Sequence, residues 1–408
     1  MKSDNITRVK NMSRILLLAS ISPLVLAPLV QAQSDDERRE ETIIVTTPGP
    51  DRAADELIGK ATGVDREDLL ETLQSTLGDT LDRQPGVSTT FFGQGASRPV
   101  LRGLGAERVQ VLTNGIGVID ASAASPDHQV SADGIDADAI EILRGPAALA
   151  YGGQAIGGVV NVIDGLIAEE KPDEAFSGDV FAGYNSVNEG SELAGRGQFV
   201  AGDFVLSLSA SQRDFDNYEI PDFAESSLQR ALEEAEEDHG DEDHEEEEEV
   251  RDTLENSFLE TQTLAAGLSW VGDNAFLGVA VRQQTAEYGL PGHGEHGHGH
   301  GEEEEEVIRI DLEQKRYDAQ LHMHDLAPGV IDVMRGFLTY TDYEHSEIEG
   351  SGEVGTTFSN ETWEGRLEMV HQQLGGFHGV LGLQASSGEF SAVGEEAYVP
   401  ETESSQAL

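Results

Sequence analysis

Arg98 to Asp164 reads RPVLRGLGAERVQVLTNGIGVID (98–120), ASAASPDHQV (121–130) and, a few residues on, IEILRGPAALAYGGQAIGGVVNVID (140–164). Short β-rich runs at Val109–Leu112, Ile140–Leu143 and Val159–Val162 alternate with glycine turns. That pattern predicts a small mixed domain of short strands, not a bundle of long helices.

Working toward the N-terminus, Leu70, Leu73, Leu77 and Leu81 fall near one face of a short amphipathic helix expected over Asp65–Leu81,. Gln84-Pro85-Gly86 ends it,. Glu41-Thr42-Ile43-Ile44-Val45-Thr46-Thr47 is a short β-prone run of the kind that adds to an exposed sheet edge,. Residues 1–32 have a basic start ending at Arg14, an apolar run from Ile15 to Val30, and small residues at Val30-Gln31-Ala32. This is the pattern of a cleaved export signal. Pro23, Pro28 and the short apolar length argue against a membrane anchor.

Beyond about Phe176, segments of roughly ten residues alternate apolar and polar, as in strands of a transmembrane barrel. Phe204, Leu206, Leu208 and Ala210 alternate with Val205, Ser207, Ser209 and Ser211; Leu277, Val279 and Val281 alternate with Gly278, Ala280 and Arg282. The first set of each faces lipid and the second the lumen. Nine strands are expected, at 177–186, 193–200, 203–214, 260–271, 275–287, 307–325, 330–344, 358–373 and 377–389. Short turns alternate with long connections at 215–259, 288–306 and 345–357, the long ones outside the cell,. Nine strands do not close a plugged barrel, which takes about 22. The expected fold class is therefore mixed: a small α+β domain over 61–165, then the first strands of an antiparallel transmembrane β-barrel over 176–408, the barrel incomplete in this chain.

The formal net charge is −53, and residues 1–32 contribute +3, so the exported chain stands near −56. So acidic a surface excludes a nucleic-acid partner and favours cations. There is no cysteine, which rules out a thiolate metal site,. Thirteen acids crowd Glu233–Glu249 around His239 and His244. His293, His296, His298 and His300 alternate with glycine ahead of Glu302–Glu306. Imidazole and carboxylate are the ligands for zinc and similar ions where thiolates are lacking. The acid runs alone read equally as solvated loops; four histidines in eight residues point to metal collection. His322 and His324 read as ordinary lumenal residues in preference to a transit site nearer the periplasm.

Val100-Leu101-Arg102-Gly103, Glu141-Ile142-Leu143-Arg144-Gly145-Pro146 and Gly157-Gly158-Val159-Val160-Asn161-Val162, in this order, resemble the plug of TonB-dependent outer-membrane receptors. Ser125-Pro126-Asp127-His128 inside the plug, and Tyr288-Gly289-Leu290-Pro291 before the His-rich loop, narrow the resemblance to zinc-uptake, ZnuD-like members. By themselves Asp127 and His128 read as a loop turn with a structural histidine. The resemblance implies that they are metal ligands in the plug. It also maps the Asp-Tyr-x-His-x-Glu motif onto Asp342–Glu347, making Glu347 a barrel ligand with His345 as its neighbour. A further histidine is expected beyond Leu408, the chain being the N-terminal part of a longer receptor. Within a tail over 33–60, residues 41–47 become the TonB box, with Thr42, Ile43, Ile44, Val45 and Thr46 at its centre.

The implied function is import of a divalent metal, zinc above all, across the bacterial outer membrane. The partners are the inner-membrane TonB complex and outer-membrane lipid. No catalytic cofactor and no enzymatic step are expected. Alternatives are a receptor of the same family for haem, a siderophore, nickel or copper, or a surface metal-binding barrel that transports nothing.

Overall fold

The computed structural model describes residues 44–45, 52–53, 61–153, 155–228, 230–231, 251–292, 307–327, 329–395 and 401–407. The export signal, most of the tail, and His239, His244, His293, His296, His298 and His300 lie outside the described residues, as do Thr42, Ile43 and Thr46. Of the expected TonB box, Ile44–Val45 forms strand β1, paired antiparallel with β2 (Arg52–Ala53).

The plug elements follow in order: β3 (Ala61–Asp65), α1 (Arg66–Thr72), α2 (Leu77–Leu81), β4 (Val87–Thr89), β5 (Pro99–Leu101), β6 (Val109–Thr113), β7 (Ile116–Gly117), β8 (Ala139–Leu143) and β9 (Gly158–Ile163). Five of them make a mixed sheet in the order β3-β8-β9-β6-β7, in which only β6 and β9 run parallel. Its core packs Leu69, Leu77, Leu81, Leu101, Ile140, Ile142 and Val160, each fully buried or nearly so. The motifs are architectural. Glycine is required at 158, where φ is +139° and a Cβ would lie 2.6 Å from the Leu143 carbonyl oxygen,. Arg144 donates to Thr62 Oγ1 (3.1 Å) and to the Pro85 carbonyl (3.0 Å), joining the sheet to the turn after α2.

The single helix expected over Asp65–Leu81 is two. Thr76 interrupts it by capping α2: its hydroxyl donates to the Asp79 carboxylate (2.7 Å) and accepts from the Asp79 N–H (3.2 Å). A side chain that satisfies the free N–H groups of a new helix start outcompetes continuation of the first helix.

The barrel wall consists of β10 (Phe176–Asn185), β11 (Gly190–Ala201), β12 (Phe204–Phe215), then, past a separate hairpin β13 (Tyr218–Phe223) and β14 (Arg251–Leu254), β15 (Leu259–Val271), β16 (Ala275–Gly289), β17 (Arg309–Ala327), β18 (Ile331–Ile348), β19 (Val354–Leu374), β20 (Phe377–Gly394) and β21 (Thr402–Ala407). The wall is one antiparallel sheet in chain order, β13 and β14 excepted. Nine of its ten strands lie within a few residues of the sequence expectation; the tenth, β21, has no counterpart among the nine expected strands. The 215–259 connection carries a hairpin, and β18 runs to Ile348, so the expected loop over 345–357 shrinks to 349–353.

The wall is inverted relative to a water-soluble sheet. Leu206, Leu277 and Val279 are 40–51 % exposed, whereas Ser207, Arg282 and Gln320 are at most 8 % exposed. An apolar outer face and a polar inner one suit a lipid-facing wall that surrounds the plug. Buried guanidinium groups need partners, because an unpaired buried charge costs several kcal/mol, on the order of 3–5. The plug supplies them. Arg213 pairs with Asp133, and Arg282 reaches Asp164 (3.1 Å) and Asp136 (3.5 Å). Arg316 donates to the carbonyls of Thr113 and Gly117, each at 3.2 Å.

Candidate metal centre

The loop between β7 and β8 carries His128 to the inner face of β18. Strand alternation puts His345 and Glu347 on one side of β18, and all three side chains are buried. His128 Nε2 lies 3.1 Å from Glu347 Oε1. The rings of His128 and His345 are 4.4 Å apart, centre to centre. One ligand atom from each of the three residues falls within 4.8 Å of the other two. Tetrahedral zinc with bonds of about 2.0–2.2 Å sets its ligands about 3.3 Å apart, so a small contraction of this cluster would close it on an ion.

Neighbours orient each histidine. His128 Nδ1 lies 3.2 Å from the Ala121 carbonyl. A carbonyl only accepts, so Nδ1 carries the hydrogen and Nε2 faces the cluster. His345 Nδ1 is hydrogen-bonded to the Tyr343 hydroxyl (2.8 Å), and the Phe358 ring stacks on its imidazole at 4.7 Å. His345 Nε2 is buried and has no hydrogen-bond partner. Leaving such an atom unsatisfied costs about 1–3 kcal/mol, a cost that a bound ion removes. Burial works to keep His128 neutral, but the Glu347 hydrogen bond, the Asp127 charge and the Ala121 carbonyl outweigh it and raise its pKa above the ordinary histidine value.

Asp127 stands beside the cluster. Its carboxylate is hydrogen-bonded to the Ser125 hydroxyl and lies 4.0 Å from His128 Nε2. Two tyrosines support the cluster without having been singled out by the sequence. Tyr343 holds His345. Tyr288, fully buried at the end of β16, holds the His128 loop: its hydroxyl accepts from the Gln129 N–H (2.9 Å) and donates to the Asp127 carbonyl (3.3 Å). Both stand in motifs visible in the sequence, but their roles depend on strand register against the plug. His322 and His324 lie apart from the cluster near the far end of β17, their rings 4.4 Å from each other.

Residues 53–159 match the family described as TonB-dependent Receptor Plug Domain. The chain carries a TonB-dependent receptor plug. With the inverted wall beside it, the fold is similar to that of part of a TonB-dependent outer-membrane receptor. The chain is 29 % identical over 202 residues to the "Vitamin B12 transporter BtuB" of Photobacterium profundum, covering 49 % of this chain and 32 % of that protein. A "Probable TonB-dependent siderophore receptor PirA" of Acinetobacter baumannii is 31 % identical over 193 residues, 39 % of this chain and 25 % of its own. Among solved structures, "Copper transporter OprC" superposes with a TM-score of 0.62 at 15 % identity, over 84 % of this chain and 50 % of its own, a likeness of fold alone. The chain thus spans about a quarter to a third of the length of these curated relatives and about half of the solved chains.

Proposed function

We propose that this TonB-dependent receptor imports a divalent metal ion, zinc, held between plug and wall by His128, His345 and Glu347. The observation that carries the reading is the composition of the cluster: one ligand comes from the plug and two come from the wall. Displacing the plug separates them, so the same movement that opens a path also dismantles the site. Force would come from the inner-membrane TonB complex, drawing on the segment around Ile44 and Val45. Asp127 is near enough to His128 to supply a fourth donor after a small shift of its side chain.

Two imidazoles and a carboxylate suit zinc; copper(I) favours the softer thiolate and thioether ligands. The cluster is also tight and buried. It fits a bare ion better than a corrin, a haem or a ferric siderophore. The acid- and histidine-rich connections would raise the cation concentration at the mouth.

Uptake of radiolabelled zinc by whole cells carrying the full receptor tests this. His345→Ala and Glu347→Gln should each abolish uptake at scarce zinc while leaving the amount of receptor in the outer membrane unchanged. Wild-type zinc uptake in both variants would refute the assignment.

A further inference from the structure

Gln94 sits at the tip of the plug loop between β4 and β5 and is fully buried. Its amide nitrogen donates to the Asp216 carbonyl (2.7 Å) and to the Ser257 carbonyl (2.6 Å), and its oxygen accepts from Asn188 of the β10–β11 turn. Asp216 follows the last residue of β12, and Ser257 comes two residues before β15. The two carbonyls therefore belong to opposite legs of the acidic connection. A plug side chain ties them together.

The arrangement repeats one step outward. Asn256, on a leg of the acidic connection, donates to the Leu290 carbonyl (2.9 Å) and the Ile308 carbonyl (2.7 Å). These are opposite legs of the His-rich connection. Asn256 has a left-handed backbone (φ +53°), a conformation that asparagine tolerates better than most residues,. Close packing holds the same region. A Cβ on Gly95 would lie 2.4 Å from the Tyr288 ring, and one on Gly93 would lie 2.8 Å from Pro291. Two carboxamides in series thus run from the plug tip to the legs of both connections.

We propose that Gln94 is a clasp through which the seated plug holds the legs of both connections together, and that they part when the plug leaves. Withdrawal of Gln94 strands the buried Ser257 carbonyl and the buried Asn188 amide and frees the Asp216 carbonyl. Buried polar groups without partners are costly, so the legs must open to water. The position of the plug is thereby reported at the extracellular mouth, whatever the cargo.

Amide hydrogen exchange on the full receptor, seated in detergent micelles, tests the clasp. The reporters are amides that Gln94 does not itself bond: Asp216 N–H, bound to the Asn188 carbonyl (2.9 Å), Tyr218 N–H, bound to Ser257 Oγ (2.8 Å), and Ser257 N–H, bound to Asn217 Oδ1 (2.8 Å). In Gln94→Ala and in Gln94→Glu, whose ionised side chain cannot donate, these amides and that of Leu290 should exchange about fivefold faster or more. That factor corresponds to losing one net hydrogen bond from the closed state. Asn256→Ala should speed exchange at Leu290 and leave Asp216 slow. Asn188→Ala, made on the wall and not on the plug, should loosen Asp216 with the plug sheet still protected. Unchanged exchange at Asp216 and Ser257 in both Gln94 variants would overturn the proposal, as would equal loosening of both connections by Asn256→Ala.

Discussion

His128 Nε2 on the plug lies 3.1 Å from Glu347 Oε1 on the wall, across 219 residues of sequence. With His345 two residues before Glu347 on the same strand face, this contact makes the cluster a joint between plug and wall. The predictions below take that joint apart.

Tyr343 should act on metal affinity without touching the ion. Partners that fix the ring of a metal-binding histidine are worth about 10–100-fold in affinity. Tyr343→Phe removes the hydroxyl bound to His345 Nδ1 and keeps the ring in the core. Calorimetry with zinc on the full receptor should show binding weaker by about tenfold. Unaltered affinity would mean that the Phe358 stack alone orients His345.

The collecting and the selecting parts should separate by zinc concentration. Deleting residues 292–306 should slow uptake only when zinc is scarce. Asp127→Ala combined with His128→Ala should stop it at all but high zinc. Whole-cell uptake across a range of zinc concentrations measures both, and equal defects at every concentration would contradict the division.

The plug resemblance and the wall were legible because both are local. Leu101-Arg102-Gly103, Arg144-Gly145-Pro146 and Gly157-Gly158 specify turns and close approaches within a few residues. The alternation of Leu206 with Ser207, or of Leu277 with Gly278, states which face meets lipid. That His345 and Glu347 share one face was not legible, because the sequence ends the strand at 344 and puts both residues in the 345–357 connection. The meeting of that face with His128 was not legible from spacing, since it depends on where the plug seats, and it came only through resemblance to zinc receptors. The same ignorance hid the roles of Tyr288, Tyr343 and Gln94. The helix break was readable in principle: Thr76-Leu77-Gly78-Asp79 is a capping sequence overruled by the leucine spacing. Strand β21 escaped notice because Glu403-Ser404-Ser405-Gln406 has no apolar alternation to mark it.

Strand addition at the TonB box should matter for release and not for capture. Ile44 and Val45 are paired with Ala53 and Arg52. Proline at either position removes a backbone donor. Ile44→Pro should leave zinc binding at the cell surface intact and stop import; import that continues would misplace the box.

Metal collection by the His-rich connection should follow histidine protonation. Imidazole binds metal only when neutral, and its reference pKa is about 6.5, whereas carboxylates stay ionised well below that. A peptide spanning 288–307 should therefore bind zinc clearly at about pH 7 and much more weakly at about pH 5.5. It should show little affinity for calcium, which prefers oxygen ligands. Calorimetry at the two pH values decides; zinc binding indifferent to pH would assign the work to Glu302–Glu306.

The cluster itself is tested most directly by zinc X-ray absorption on the full receptor lacking residues 233–249 and 293–306, so that the histidines of neither connection contribute. The account predicts one tightly held zinc whose shell contains two imidazole nitrogens and carboxylate oxygen. His345→Ala should reduce the shell to one imidazole, and Glu347→Gln should weaken retention of the ion. Loss of all tight zinc binding in the loop-deleted receptor, or an unchanged two-imidazole shell in His345→Ala, would contradict a zinc site at His128, His345 and Glu347.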